Sequence, residues 1–278
     1  MYSYIIHREL LINKSFLEFL EGNRLDDFQS LMDYNGAQVL KKNKYRSVTR
    51  IVLQGRIFYL KRHFWPLKER IKNRVPWVKK EDGKNEWENI NLLRDHGFST
   101  MVPVAFGEKR ELGLPSSTLT LTENIYDAEK LETYLPAHFN PPLTPDMVMR
   151  KRNLIKKIAV LARDFHKKGF NHQDFYLGHL FIRPADNTIF IVDLQRMHCS
   201  KSTGRRYIIK DLAQIAYSAE SVNIFSRTDF IRFAHVYFER DKLNGQHKRL
   251  IRKIMAKVRR IARHDAKLQM RKGLQKMN

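Results

Sequence analysis

Two aspartates near the middle of the chain, Asp174 and Asp193, are placed where they could do chemistry. Asp174 lies in the stretch FNHQDFYLGHLFIR (170–183), and Asp193 ends the apolar run TIFIVD a short distance downstream. The segments GHLFIRP and TIFIVDL are typical of a short hairpin, whose two ends would let both carboxylates face one cleft. One carboxylate could then orient a nucleophile while the other binds a metal ion, because a hard cation prefers carboxylate oxygen.

A lysine and a glutamate further upstream supply a second pair of charges. Lys61 follows the alternating residues Ile57 and Tyr59 on a predicted strand, and Glu86 lies on a predicted helix. A strand lysine needs an anchor if it is to bind phosphate groups, and a helical carboxylate can provide one. Each of these residues taken alone is typical of a solvated surface. If these charges reach the same cleft as the two aspartates, the four residues could together bind phosphate and metal.

The elements that would position these residues follow from hydrophobic periodicity. The stretch VTRIVLQGRIFYLKRH (48–63) predicts two strands joined at Gln54-Gly55. The stretch NEWENINLLRDHG (85–97) predicts a helix that ends at Gly97. The stretches MVPVAFGEK and STLTLTEN predict two further strands of four or five residues each.

A loop rich in proline follows these strands and indicates a boundary between two lobes. Its prolines are Pro136, Pro141, Pro142 and Pro145. The segment 146–170 then predicts a long helix, after which come the hairpin and a mainly helical remainder. The pattern predicts an α+β fold with two lobes: a small strand-rich N-lobe over residues 1–123 and a helical C-lobe over residues 124–278.

The order of a strand lysine, a helix glutamate, an H-x-D loop and a strand-end aspartate resembles the protein-kinase-like fold. Four longer stretches resemble a narrower group, the lipopolysaccharide core heptose kinases of the WaaP type. They are EWENINLLRDHGFSTMVPVAFGEK, NHQDFYLGHLFI, IVDLQR and KDLAQIAYSA, and the resemblance runs from about residue 46 to about residue 240. It implies transfer of a phosphoryl group from ATP, with Mg²⁺, to a heptose of the inner core of bacterial lipopolysaccharide.

The resemblance also implies a role for each site residue. Asp174 would accept the proton of the attacking sugar hydroxyl or simply orient it. Lys61 would contact the α- and β-phosphates, and Glu86 would hold the lysine. Asp193 would hold Mg²⁺, and His179 stands where protein kinases carry an asparagine that binds metal. Imidazole is a weak ligand for Mg²⁺, so two interpretations of His179 stay open: a metal ligand and a hydrogen-bond donor to a phosphate.

Several neighbouring residues are expected to support the site without doing chemistry. The backbone of Glu123, at the end of LTLTEN, would bind the adenine edge, with its carboxylate at the surface. His172 is expected to pack beneath the loop, and Asp211 is expected to brace the loop through backbone N–H groups. Gln173 replaces an arginine that receives an activation-loop phosphate in protein kinases, so such activation is not expected. No glycine-rich phosphate loop is present, and cations of the turn KKNKYR (41–46) are expected to replace its amides.

The composition restricts the setting and the class of partner. The chain carries 52 Lys and Arg against 29 Asp and Glu, a net charge of +23, which predicts an anionic partner. Cys199 is the single cysteine, so no intrachain disulfide forms and a reducing, cytoplasmic setting is expected. Charged residues interrupt the N-terminal stretch MYSYIIHRELL before a signal peptide develops, and no apolar stretch is long enough to span a bilayer.

Much of the positive charge lies between residues 239 and 278, where 14 Lys and Arg accompany three acidic residues. Within this segment Leu250, Ile254, Val258 and Ile261 repeat at helical spacing, which predicts a basic amphipathic helix. Two interpretations stay open. The helix packs its apolar stripe onto the C-lobe, or its basic face also binds anionic inner-membrane lipid or acidic lipopolysaccharide. Nucleic acid is not expected, because no RNA- or DNA-binding motif accompanies the charge.

Two alternative functions also stay open. A kinase with this machinery could act on another acceptor: a Kdo sugar, an aminoglycoside-like molecule or a protein tyrosine. A kinase-like scaffold that no longer transfers phosphate could bind acidic glycolipid or nucleic acid. The joint presence of Lys61, Glu86, Asp174 and Asp193 argues against this second alternative.

Overall fold

The computed structural model describes residues 3–36, 38–66 and 83–275, which form two compact units. The first unit comprises Met1–Tyr126 and Phe190–Arg196, and the second comprises Asp127–Ile189 and Met197–Asn278. The first unit is built mainly of strands and the second mainly of helices. The α+β class predicted from the sequence is therefore confirmed.

A seven-stranded sheet forms most of the first unit. Its strands are β1 (Tyr4–His7), β2 (Leu10–Asn13), β3 (Gln38–Lys42), β4 (Arg46–Leu53), β5 (Arg56–Phe64), β7 (Val102–Glu111) and β8 (Leu114–Glu123). They lie in the order β1-β2-β7-β8-β5-β4-β3, and each pair of neighbours is antiparallel. The two-residue strand β6 (Ser99–Thr100) precedes β7 and lies outside this sheet.

The side chains of β5 alternate between the two faces of the sheet, as the period of a strand requires. On one face Phe58 is fully buried, and Arg62 donates through Nε to the carbonyl oxygen of Leu31 at 3.1 Å. Lys61 and His63 extend from the opposite face. The strand thus separates the hydrophobic core of this unit from the face that carries the predicted phosphate-binding lysine.

The N-terminal segment completes the core on the Phe58 face. It forms two short helices, α1 (Leu17–Gly22) and α2 (Phe28–Asp33), which contribute Leu20, Phe28 and Leu31 to that core. Helices of six residues are too short to display a helical repeat, which explains why the sequence did not predict them.

Helix α3 (Gly83–Asp95) packs on the Lys61 face and begins with a close approach to β8. The N–H of Gly83 donates to Thr118 Oγ1 at 3.3 Å, and Thr120 Oγ1 donates to the Gly83 carbonyl at 3.1 Å. A Cβ atom on Gly83 would lie 2.8 Å from Thr120 Oγ1 and 2.9 Å from Thr118 Oγ1. The absence of a side chain therefore allows α3 to begin against the sheet.

A short parallel pairing positions the segment around Asp193. Strand β6 pairs with the end of β12 (Thr188–Ile191), with Thr100 opposite Ile191. Thr100 Oγ1 also donates to the Ile191 carbonyl at 2.5 Å. A 3₁₀ turn over Leu194–Arg196 follows and packs against α3.

The second unit contains five helices among its described residues. They are α4 (Leu131–His138), α5 (Pro145–Lys167), α6 (Arg205–Ser221), α7 (Arg227–Phe238) and α8 (Gly245–Gln275). Short antiparallel pairs join β9 (Glu129–Lys130) to β11 (Leu180–Arg183) and β10 (Phe170–Asn171) to β13 (His198–Cys199). Thr144 caps α5, and the helix buries a stripe that includes Leu154, Ile158, Ala162 and Phe165.

Helix α8 packs against α6 through the apolar stripe that the sequence predicted. Ile254 and Val258 are buried, while Leu250 and Ile261 are half-buried. The amphipathic helix is therefore confirmed as a packing element of the second unit. Among the described helices, none has the length and apolar character that crossing a membrane requires.

Two details of the predicted elements were wrong. Strands β7 and β8 are ten residues long each, not four or five, because Leu112 and Gly113 form a tight turn with positive φ. Such a turn lets strand pairing continue up to its two central residues. Pro136 lies inside α4 and not in a loop, since a helix of eight residues has few interior hydrogen bonds to lose.

Candidate active site

Lys61 and Glu86 form an ion pair in the first unit. Lys61 Nζ contacts Glu86 Oε1, and Glu86 is fully buried. Lys61 lies opposite Val48 of β4 and Thr120 of β8, so its side chain leaves the sheet on the side where α3 packs. The structure thus brings together two residues that the sequence singled out, and their role in binding phosphate stays a prediction.

Gln195 binds the second oxygen of the same carboxylate. Its Nε2 donates to Glu86 Oε2 at 3.1 Å, and the residue is only 4% exposed. One turn along α3, Asn89 Nδ2 donates to the carbonyl oxygen of Leu194 at 2.7 Å. Helix α3 therefore holds two successive residues of the turn that follows Asp193. Sequence reasoning missed Gln195, whose only signal was its place two residues after that aspartate.

Asp193 lies between β12 and this turn with a φ of 60°. Left-handed backbone costs a non-glycine residue about 1 kcal/mol or more, so it persists only where the surroundings impose it. Thr100 holds the chain at Ile191 on one side, and Asn89 holds it at Leu194 on the other. The backbone position of the aspartate is therefore set from both flanks.

Glu123 ends β8, and its carboxylate forms an ion pair with Arg56. Oε1 lies 2.7 Å from Arg56 Nη2 and 2.9 Å from Arg56 Nε. The guanidinium also lies 4.8 Å from the ring centres of Phe16 and of Phe19, a cation–π arrangement. The carboxylate expected at the surface is instead 13% exposed and serves as a structural contact at the end of the strand.

In the second unit, a buried aspartate holds the loop that carries Asp174. Asp211 of α6 accepts hydrogen bonds from the backbone N–H groups of His172 and Gln173, each at 2.8 Å. His166 Nε2 lies 3.3 Å from the same carboxylate, which is fully buried. The bracing role predicted for Asp211 is confirmed.

Two more side chains of α6 hold the same loop. Gln214 Oε1 accepts from the Phe175 N–H at 2.9 Å, and its Nε2 donates to the Gln173 carbonyl at 2.8 Å. Ser218 Oγ accepts from the Leu177 N–H at 3.0 Å. Because the three bracing residues of α6 are spaced by three and four positions, they lie on one face of the helix. That spacing in KDLAQIAYSA was the signal that could have found the last two.

Two histidine rings stack within the loop, with centroids 5.9 Å apart. His172 is fully buried and its Nδ1 accepts from the Asp174 N–H at 3.3 Å, which agrees with the packing role expected for it. His179 Nδ1 lies 2.7 Å from the carbonyl oxygen of Asp174 and must carry a proton to donate to it. Both interpretations of His179, a metal ligand and a hydrogen-bond donor to a phosphate, stay predictions.

The predicted site residues divide between the two units. The first contains Lys61, Glu86, Glu123 and Asp193, and the second contains Asp174 and His179. For Mg²⁺ the carboxylate of Asp193 is a suitable ligand, whereas the imidazole of His179 is a poor one. A fixed ammonium, a carboxylate that suits a hard cation and a loop aspartate are the groups that phosphoryl transfer requires.

Comparison with known proteins finds a family and several relatives. Residues 24–237 match the family described as the lipopolysaccharide kinase (Kdo/WaaP) family. Two relatives from Escherichia coli, one of them from strain K12, are described as lipopolysaccharide core heptose(I) kinase WaaP. They are 34% and 31% identical over 224 residues, which cover 77% of this chain and 82% of each relative.

A third relative and a solved structure extend the similarity. A protein of the same description from Pseudomonas aeruginosa is 27% identical over 242 residues, which cover 83% of this chain and 87% of that relative. A solved structure described as WaaP in complex with acyl carrier protein has a TM-score of 0.69 and is 25% identical. The match covers 92% of this chain and 98% of that chain.

Proposed function

The chain belongs to the lipopolysaccharide kinase (Kdo/WaaP) family, and on this premise we propose that it phosphorylates a heptose of the lipopolysaccharide inner core. It is a phosphotransferase with a sugar hydroxyl as acceptor, and it has a protein-kinase-like fold. A heptose is proposed as the acceptor because three relatives are all described as lipopolysaccharide core heptose(I) kinases. Each of them matches at least 77% of this chain.

In this proposal the first unit binds ATP. Lys61 contacts the α- and β-phosphates, and Glu86 fixes the position of its ammonium group through the buried ion pair. Gln195 fixes the carboxylate in turn. The backbone at Glu123 receives the adenine edge, at a strand end that the Arg56 ion pair holds in place. Charges that are positioned before the substrate arrives need no reorganisation during the reaction.

The remaining groups would bind the metal and the acceptor. Asp193 would hold Mg²⁺, with His179 as a second candidate ligand, and the ion when bound would neutralise charge on the phosphates. Asp174 orients the sugar hydroxyl and accepts its proton. Since the transition state of phosphoryl transfer is loose, positioning contributes more than basicity. The bonds from α6 to the loop backbone support this role for Asp174.

The second candidate acceptor is a Kdo sugar, because the description of the family names it. The heptose is favoured, since all three relatives compared are described as heptose(I) kinases. The two acceptors share the same catalytic groups, so the difference between them must be measured on the product.

Mass spectrometry of lipopolysaccharide tests the proposal. A strain that lacks this chain should lose one phosphate on an inner-core heptose. The native chain should restore it, whereas Asp174→Asn should not. In vitro that variant should be slower by at least about 100-fold, while Asp186→Asn, at an exposed hairpin position, should keep native activity. Loss of phosphate from Kdo would support the second acceptor, and an unchanged core would contradict both.

The solved neighbour contains acyl carrier protein, and binding of such a partner is proposed for this chain as well. The second unit contains a cavity of about 620 Å³ between α5, α6, α7 and α8. Apolar side chains line most of it, among them Ile158, Ile215, Phe233 and Met255. An acyl group is the part of that partner whose chemistry fits such a cavity, because burial of each methylene group contributes about 0.8 kcal/mol.

Thermal unfolding with acylated and unacylated acyl carrier protein tests this partner. The acylated form should raise the unfolding midpoint of the native chain more than the unacylated form does. Ala216→Trp, inside the cavity, should remove the difference, whereas Ala266→Trp, at the exposed end of α8, should retain it. Equal midpoints with both forms of the partner would contradict a role for the cavity.

A peripheral position at the cytoplasmic face of the inner membrane is also proposed. The cytoplasm supplies ATP, and the acceptor is a glycolipid. Beyond its buried stripe, α8 exposes Arg259, Arg260, Arg263 and Lys267 to solvent. Basic residues near an anionic surface contribute roughly 1 kcal/mol each, which supports attraction to acidic lipid.

A further inference from the structure

The turn between β3 and β4 stands where a glycine-rich phosphate loop would be expected. Such a loop binds phosphate through backbone N–H groups that point at the ligand. Here the side-chain oxygen of Asn43 accepts from the N–H of Tyr45 at 3.0 Å and from the N–H of Arg46 at 2.8 Å. The Asn43 N–H itself donates to the Arg46 carbonyl at 2.8 Å. These three amides already have acceptors within the turn and are not available to a phosphate.

Arg46, the first residue of β4, lies on the same face of the sheet as Lys61. It stands opposite His63, and Val48 stands opposite Lys61. Directly opposed residues of an antiparallel pair share a face, and diagonal neighbours lie roughly 7–8 Å apart. Ser47, between Arg46 and Val48, is buried toward the other face. A guanidinium and an ammonium group therefore extend side by side from this face.

Among the described residues, only one of the two cations is paired with an acidic side chain. Lys61 pairs with Glu86, whereas Arg46 makes no ion pair within the part of the chain that the structure describes. Arg46 Nε is buried and has no hydrogen-bond partner there. Burying a donor without a partner costs free energy, and an anion bound between the two cations would recover it.

His63 lies between the same two cations. It is 3% exposed, and neither ring nitrogen has a hydrogen-bond partner among the described residues. Burial first, and then the charges of Arg46 and Lys61, lower its pKa from 6.5 to about 3. The ring is therefore neutral at physiological pH, and both cations are close enough to act on it.

We infer that Arg46 is a second phosphate-binding cation, which binds the outermost phosphate of a nucleoside triphosphate beside Lys61. The inference rests on the proposed use of ATP. In this inference one arginine side chain binds the phosphate, a function that glycine-rich loops perform with backbone amides. A guanidinium suits this role, because its planar set of donors matches two phosphate oxygens at once.

The position of Arg46 along the sheet indicates which phosphate it contacts. Glu123, where adenine is proposed to bind, stands opposite Phe58 of β5. Lys61 lies three residues further along β5, roughly 10 Å away, and the partner of Arg46 lies five residues along, roughly 17 Å away. A nucleotide that starts at Glu123 therefore reaches Lys61 before Arg46. The phosphate farthest from adenine is the one that Arg46 can bind.

Isothermal titration with ATP, ADP and AMP, each with Mg²⁺, tests this order. Arg46→Ala should raise the Kd of ATP about tenfold, with a smaller rise for ADP and none for AMP. Arg46→Lys should recover part of the loss. Lys109→Ala removes the same charge from an exposed position of β7, on the face opposite Lys61, and should leave all three Kd values unchanged.

Lys61→Ala separates failure of this inference from failure of the proposed function. If Lys61→Ala weakens ATP binding while Arg46→Ala binds all three nucleotides as the native chain does, the inference on Arg46 is wrong. If Lys61→Ala also binds ATP normally, the proposed nucleotide site itself is wrong. Equal losses for ATP, ADP and AMP in Arg46→Ala would also overturn the inference. If Arg46→Ala fails to fold, Arg46→Gln replaces it in the titrations, because glutamine keeps most of the side-chain bulk.

Discussion

At the residue scale, one buried carboxylate connects the predicted phosphate-binding lysine to the segment that carries Asp193. Glu86 gives one oxygen to Lys61 and the other to Gln195, and it has no exposed surface. A buried carboxylate is costly unless both oxygens are bonded, so removal of either donor leaves a charge that is poorly compensated. These three side chains are therefore expected to act as one unit.

A double-mutant cycle tests the ion pair. Lys61→Ala and Glu86→Ala should each lower kcat/KM by at least about tenfold, because each removes one half of the pair. The double variant should lose little more than the worse single variant, with a coupling energy of about 2 kcal/mol. The exposed pair Lys84 and Glu88 of the same helix is a control, whose coupling should stay below about 0.5 kcal/mol. If the fold-losses of kcat/KM in the two single variants multiply in the double variant, Lys61 and Glu86 are not partners.

Gln195→Met tests the second donor. Methionine keeps the approximate shape but leaves Glu86 Oε2 buried without a hydrogen bond, so the free energy of unfolding should fall by about 2 kcal/mol. The KM for ATP should also rise, because the carboxylate that holds Lys61 is less well fixed. Urea unfolding and steady-state kinetics measure both effects, with Gln246→Met at an exposed site as control. A variant with native stability and native KM would contradict the role of Gln195.

His63 should make the first unit sensitive to acid. Burial lowers its folded-state pKa to about 3, so between pH 6.5 and about 3 the unfolded chain binds a proton that the folded chain does not. Stability should therefore fall as the pH falls through this window, by up to about 1.4 kcal/mol per pH unit. The free energy of unfolding, measured with urea, should fall between pH 6 and pH 5 in the native chain. In His63→Leu this fall should be smaller by about 1 kcal/mol. Equal losses would show that His63 takes up its proton in the folded chain too.

At the element scale, two helices set the positions of the predicted catalytic groups through contacts with backbone. Helix α3 is anchored to β8 at Gly83 and holds the 194–196 turn through Asn89. Helix α6 holds the loop from His172 to Leu177 through one face. Because backbone atoms are held, the shape of each segment depends little on its own side chains.

Gly83→Ala tests the anchoring of α3. The new Cβ would press on the hydroxyl groups of Thr118 and Thr120, so the helix must shift away from the sheet. Stability should fall by about 1–3 kcal/mol, and ATP should bind more weakly because Glu86 moves with the helix. Gly22→Ala, where a Cβ meets no atom within 4 Å, should instead be neutral or stabilise by up to about 1 kcal/mol. Native ATP binding and stability in Gly83→Ala would contradict the close approach.

At the scale of the whole molecule, the net charge of +23 is the property most relevant to partners. Long-range attraction to an anionic surface depends on total charge and is screened by salt, whereas docking depends on where the charge lies. The exposed part of α8 carries a cluster of arginines, and β3 carries exposed lysines in the other unit.

Vesicle sedimentation distinguishes these two effects. Binding to vesicles that contain phosphatidylglycerol should weaken as salt rises, and Arg259→Glu with Arg263→Glu should lower it by at least about tenfold. Lys41→Glu with Lys42→Glu changes the net charge equally and should have a smaller effect. If both pairs of substitutions weaken binding equally, total charge and not α8 determines membrane attraction. If neither does, the proposed peripheral position is wrong.

The sequence by itself determined the long elements and the order of the site residues. Strands β4 and β5 and helices α3, α5 and α8 were predicted because each repeats its apolar residues often enough to display a period. Lys61, Glu86, Asp174 and Asp193 were identified because their order along the chain resembles the protein-kinase-like fold, and Asp211 was identified in the stretch KDLAQIAYSA. The fold class followed from the order of the elements, and the comparisons support it.

The tertiary structure alone decided which distant side chains meet. Periodicity tells which face of an element a residue occupies but not what lies opposite that face. The contacts of Gln195 with Glu86 and of Arg56 with Glu123 join residues far apart in the sequence. The capping of the β3–β4 turn by Asn43 is local, yet it depends on a hydrogen-bond geometry that composition does not specify. These contacts exist because folding brings the chain's distant segments to within hydrogen-bonding distance, at about 3 Å, where direction as well as proximity decides which donor and acceptor pair.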